Sequence, residues 1–75
     1  MNDNTFLEVG ERYYFGMGRM LHKGKIKAIN DQEILIIDAS VIILDEEYCG
    51  ISDFRDVDNE IILFKNTLDR ISIER

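Results

Sequence analysis

From Lys25 to Ala28 the chain alternates charge and hydrocarbon, with Lys25 and Lys27 on one side of an extended segment and Ile26 and Ala28 on the other. A period of two is the signature of a half-buried strand. This strand is expected to open at Gly24 and end at Asn30. The next residues, Asn30-Asp31-Gln32-Glu33, are polar, and Asn and Asp suit the special dihedrals of a hairpin connection. Beyond the turn comes EILIIDASVIIL, Glu33 to Leu44, which is apolar at nearly every position. Such a run predicts a strand buried on both faces, or buried on one and paired with a neighbouring subunit on the other. Its Ile and Val content argues against a helix. Asp38 interrupts it. A buried carboxylate is costly unless paired, so Asp38 is expected to accept backbone N–H bonds at a bend or to meet Arg70 or Arg19.

The flanking segments complete the pattern. Glu11 to Lys23 is aromatic at Tyr13-Tyr14-Phe15, which favours a strand. Gly16 and Gly18 within it predict a bulge, a bend or a close backbone approach. The acidic text DEEYCGISDFRDVDNE, residues 45–60, lacks a clear period and reads as a loop with at most a helical turn. Glu60–Lys65 and Asp69–Glu74 read as two more strands, with Lys65-Asn66-Thr67-Leu68 turning between them and Ile71 and Ile73 pointing inward. Residues 1–10 form a tail or a short N-terminal helical turn, with Asn4 or Thr5 as its cap and Glu8 near its third position. The expectation is a mainly β protein: one domain over residues 11–75, folded as a small five-stranded SH3-like barrel. Closure would remove the exposed edges that otherwise aggregate.

Composition sharpens this picture. Seventy-five residues make one domain, and a chain so short buries only about 60% of its unfolded surface. Apolar residues nevertheless make up 45% of it, a surplus that points to burial between subunits and to a homo-oligomer. The single Cys49 allows no internal disulfide, and with one histidine it cannot complete a zinc site. No secretory leader and no membrane-length apolar run are apparent, so the chain reads as cytoplasmic. Net charge is −6, which disfavours general nucleic-acid binding. The charge is unevenly spread: residues 1–30 hold five Lys/Arg against three Asp/Glu, and residues 31–75 hold four against twelve.

Two resemblances enter at the central hairpin. The stretch GKIKAINDQEILIIDA, with IILFKNTLDRISI, resembles the two signatures of Sm-like proteins. That family implies an SH3-like barrel assembled in a ring, with RNA bases bound between two loops. Asn30 and Asp31 match the first loop in part. The second, at Lys65-Asn66-Thr67, lacks the family's Arg-Gly pair, and no aromatic stands in the first to stack a base. RNA is thus the alternative partner. The same central stretch, preceded by Tyr13-Tyr14-Phe15, is similar to small proteins encoded by bacteriophages and prophages. That likeness implies a viral accessory protein acting in a bacterial host cell.

The candidate chemistry is a cationic cluster. Arg19, His22, Lys23, Lys25 and Lys27, with Tyr14 to stack and Asn30 to hydrogen-bond, form a candidate site for a small anionic, nucleotide-like ligand. Glycine would allow the backbone to approach closely. The same lysines also read as a solvated strand face, and His22 as a surface histidine. In Tyr13-Tyr14-Phe15, alternate members are expected in the core. No nucleophile–base pair, phosphate-binding glycine motif or metal-ligand set stands out, so an enzyme, a cofactor and a metal are not expected. Asp53, Asp56, Asp58 and Glu60 lack the turn glycine and spacing of a calcium loop. Cys49 has no basic neighbour and reads as inert. The resulting expectation is a non-enzymatic, oligomeric binding protein with a counter-defence role, which sequesters a small anion in a basic pocket between subunits or blocks a host defence protein.

Overall fold

The structure, a computed structural model, describes residues 7–74. Six strands form one antiparallel sheet: β1 (Arg12–Met17), β2 (Met20–Ile29), β3 (Glu33–Leu44), β4 (Ile51–Val57), β5 (Ile61–Phe64) and β6 (Arg70–Ile73). A single 3-10 turn, Lys65–Thr67, links β5 to β6. The strand order is β4-β3-β2-β1-β6, and β5 pairs with β3. The mainly β expectation therefore holds. The strand count does not, and neither does closure: β4 and β6 end the path unjoined. Residues 7–10 make a turn instead of a helical turn, and residues 1–6, where its cap was expected, lie outside the described residues.

Three local features give the sheet its shape. First, the glycine-flanked Met17 does not bend a long first strand. The chain reverses at Gly18, whose φ of +58° is open to glycine at little cost. β2 then runs unbroken through Gly24, so Gly24 is a mid-strand residue and not a strand start. Second, β3 carries a bulge. Lys23 pairs with Ser40 but Lys25 with Ile37, so β3 fits one extra residue there. Asp38 absorbs it at φ +51°, a left-handed setting that Asp tolerates better than most residues. Asp38 is thus exposed and not buried in the strand. Its backbone carbonyl accepts a bond from Arg12 Nη2 at 3.3 Å, in place of the expected pairing of its carboxylate with Arg70 or Arg19. Third, β2 bulges at Lys27, so that Ile26 pairs with Ile36 and Ala28 with Leu35. The bulge flips the alternation. Ala28 turns outward with Leu35, and Ile29 takes the inward place packed on the core.

The bulge divides β3 between two partners. Glu33 to Ile36 pair with β5, and Ala39 to Leu44 pair with β4. One face of the curled sheet holds the core: Leu7, Tyr13, Phe15, Ile26, Ile34, Ile36, Ala39 and Leu63. Phe15, Ile26, Ile34 and Ile36 are fully buried, each stabilising the fold by roughly 1.5–3 kcal/mol. Tyr13 and Phe15 lie in this core while Tyr14 faces outward, as alternation requires. The Tyr13 hydroxyl accepts the Glu8 N–H at 3.0 Å, tying down the start of the described chain. Ile71 packs against the core, whereas Ile73, at the sheet end, is half exposed.

The middle of the expected acidic loop, residues 51–57, is instead strand β4. Its pattern escaped notice because β4 is exposed on both faces from Ile51 to Asp56. Loop remains at residues 58–60 and, ahead of the strand, at residues 45–50. Asp45 organises it: Oδ1 accepts the N–H groups of Cys49 and Glu47, which holds the Asp45 carboxyl below its usual range.

Gly24 makes the close packing at the bulge possible. A Cβ there would sit 3.0 Å from Ile36 Cδ1 and 3.2 Å from both the Ala39 Cβ and the Ile37 carbonyl oxygen. Gly24→Ala is expected to destabilise the protein by about 1–3 kcal/mol through overpacking, measured by chemical denaturation. An unchanged midpoint would contradict this account of the bend.

Candidate functional site

The strand registers sort the seven candidate residues into separate places. Tyr14 pairs with Lys23 across β1 and β2, and Arg12 with Lys25 in the neighbouring row. Facing pairs in an antiparallel ladder project to the same side. Tyr14, Lys23, Arg12 and Lys25 therefore share the outer face, opposite the core. Glu74 sits among them. Arg12 Nε donates to its carboxylate at 2.9 Å, and Lys23 Nζ lies 3.7 Å away. All three partners are partly shielded from water. Lys25 has no ion-pair or hydrogen-bond partner among the described residues. The patch thus sets three cations and one tyrosine on one face, with two of the cations about a single carboxylate. One strand further on, Asp56 is held by the Ser40 hydroxyl at 2.8 Å.

The other four candidates lie elsewhere. Lys27, at the β2 bulge, pairs with Glu60 at an exposed position. Arg19 is in the β1–β2 turn, exposed, and its carbonyl accepts the Leu44 N–H. Asn30 is committed to the hairpin: its Oδ1 accepts the N–H groups of Gln32 at 2.8 Å and Glu33 at 2.7 Å. This is an Asx turn, in which the side chain mimics a backbone carbonyl.

His22 is the largest departure. It is 7% exposed and not on the surface. Its row runs Ile71, Phe15, His22, Val41, Arg55 on the inner side of the sheet. Nδ1 is buried with no hydrogen-bond partner among the described residues. Burial lowers its pKa, because the imidazolium would lose hydration without gaining a partner. The row contains no acid to offset this.

Two members of the outer patch escaped the sequence reading, Arg12 and Glu74. They are 62 residues apart, and only the pairing of β1 with β6 brings them together. The one available signal was the alternation in Arg12-Tyr13-Tyr14, which places Arg12 on the face of Tyr14.

Shallow hollows elsewhere are lined by loop and edge residues: Asp31, Gln32, Phe64, Lys65 and Asn66 at one end, and Met20, Val41, Ile43, Asp53 and Arg55 beside β4. No described helix is long and apolar enough to cross a membrane. The chain matches no protein-family model and shows no significant similarity to any curated protein.

The His22 environment has a pH consequence. Its pKa is lower in the folded chain than the ordinary value near 6.5, so the unfolded chain binds the proton more readily. The stability tied to the neutral ring is fully present above that ordinary value and is lost as pH falls through the lowered one. Stability is expected to decline as pH drops below about 6.5, and His22→Leu is expected to flatten this part of the curve, read from urea midpoints at successive pH values. An identical slope in the variant would show that His22 does not cause it.

Proposed function

We propose that this chain is a non-enzymatic binding protein whose outer sheet face takes a small anionic, nucleotide-like ligand. One observation carries the reading: Arg12, Lys23 and Lys25 converge with Tyr14 on two adjacent cross-strand rows of an otherwise acidic protein. Three cations supply charge-assisted donors for phosphate oxygens, and the tyrosine ring offers a surface on which a base can stack. Because the strands are paired on both sides, the groups are held without further ordering of the backbone. Glu74 plays two parts in this reading. It orients Arg12 and Lys23 in the free protein, and a phosphate would have to compete with it.

The scaffold is read as an SH3-like fold that assembles with copies of itself. Support comes from the bent β3 shared by two strands, the 3-10 turn ahead of the last strand, and apolar side chains left exposed on β4 and β5. The likeness of the central hairpin to phage-encoded proteins makes counter-defence in a bacterial host the setting we propose for this binding.

Calorimetric titration of cyclic and linear nucleotides tests the reading. At least one is expected to bind, with affinity falling as salt rises. Lys25→Glu should weaken it roughly tenfold or more, and Glu74→Gln should tighten it about threefold by releasing Lys23 and Arg12. Silence across the panel at low salt, or binding indifferent to Lys25→Glu, would overturn the proposal.

A further inference from the structure

β4 ends the sheet with a free edge that is neither very short nor broken by proline. It is seven residues long, contains no proline, and exposes Ile51 and Phe54. Its charged residues are arranged in a particular order. Read outward from Phe54 in both directions, the strand is Asp53 and Arg55, Ser52 and Asp56, Ile51 and Val57. The innermost pair is complementary, acid with base.

We propose that β4 pairs antiparallel with β4 of a second copy about a two-fold axis through Phe54, joining two sheets into one. This surface deepens the self-assembly part of the reading above but stands apart from the anion patch, which lies wholly within one subunit. In this register Phe54 faces the partner's Phe54. Asp53 faces the partner's Arg55, and Arg55 faces the partner's Asp53, so the one ion pair forms twice by symmetry. The regular ladder spans Asp53 to Arg55; beyond it the bulge at Ser52 shifts the register and turns Ile51 to the face opposite Val57.

Two observations support the edge being ready for this. The Phe54 N–H donates to the Oδ1 of Asp53 at 2.9 Å, so a side chain caps a ladder donor. Arg55 Nη2 stands 3.4 Å from the same carboxylate, at an exposed position. A second copy would supply the Phe54 N–H with a backbone carbonyl and release Asp53 to the partner's Arg55. On the outer face, Leu21, Ile42 and Phe54 occupy one cross-strand row, and the axis would continue that row into its counterpart as an unbroken apolar strip.

The register is also selected against its neighbours. A two-fold perpendicular to the sheet keeps like faces together, so the strands can slip only in steps that preserve face. The next allowed registers set Asp53 against Asp53, or Arg55 against Arg55. Like charges directly opposed are destabilising.

The test uses the intact chain in sedimentation equilibrium up to about 100 µM. A dimer is expected. Arg55→Asp should weaken it by about tenfold or more, since four carboxylates would then crowd the axis. The swap Asp53→Arg with Arg55→Asp should restore it, because every cross-axis pair is again opposite in sign. Circular dichroism of each variant checks that the exposed substitutions leave the fold intact. Phe54→Cys in a Cys49→Ser background should crosslink under mild oxidation, as facing residues in a hydrogen-bonded antiparallel pair lie ~5.5 Å apart at Cα, within disulfide range. A lone subunit throughout the concentration range, a dimer untouched by Arg55→Asp, or a swap that fails to restore it would overturn the register. Nucleotide titration of the Arg55→Asp variant keeps the two ideas separate: loss of the dimer with binding retained, or the reverse, assigns each failure to its own claim.

Discussion

The fold turns on how one strand serves two partners. β3 must stay paired with β2 along its length while its first half meets β5 and its second half meets β4. A regular strand cannot change direction so sharply and keep its inward side chains on one core. The bulge at Asp38 takes up the extra residue, and Gly24 opposite it leaves room for Ile36 and Ala39 to close over the bend. Everything downstream follows from this corner. The N-terminal half of β3 contributes Ile34 and Ile36 to the core, and the C-terminal half carries β4 away from it. That outward swing is why β4 is exposed on both faces while β5, on the same strand's other half, buries Leu63.

The electrostatics follow the same geometry. Counted along the chain, the charge divides into a basic first third and an acidic remainder. In the folded protein the two parts are interleaved. Glu74 returns to Arg12 and Lys23, Glu60 meets Lys27, and Asp69 holds the Gly18 N–H. These are mostly exposed contacts, each contributing little to stability by itself. Their effect is to concentrate the uncompensated positive charge at Lys25 and its neighbours on the outer face. The negative charge collects in the 45–60 region, around the loop and along the β4 edge.

Much of the fold was legible in the sequence, and the failures have physical causes. The central hairpin was readable because Lys25-Ile26-Lys27 alternates and Asn30 carries the chemistry of its own turn. The bulge at Lys27 was not, since one inserted residue reverses every later position without altering composition. Hence Ala28 and Ile29 exchanged faces. β4 was missed because a strand exposed on both sides has no reason to alternate. His22 looked like part of a cationic series by spacing, but its parity with Ile26 and Gly24 places it inward, where its ring is kept neutral. The outer patch was half legible: Tyr14, Lys23 and Lys25 lie close in sequence, whereas Arg12 and Glu74 meet only through the pairing of the first strand with the last.

The contact between Arg70 and Gly16 bears on the cost of joining the first strand to the last. The guanidinium lies so near Gly16 that a single added carbon would come within 2.7 Å of it, and Nη2 donates to the Gly18 carbonyl across 52 residues of sequence. Gly18 sits in the turn between β1 and β2, so Arg70 spans the tip of that hairpin. The pairing of the last strand with the first therefore carries the entropy of closing the longest loop in the domain. β6 pairs with β1 alone, so its whole ladder rests on that one long-range contact.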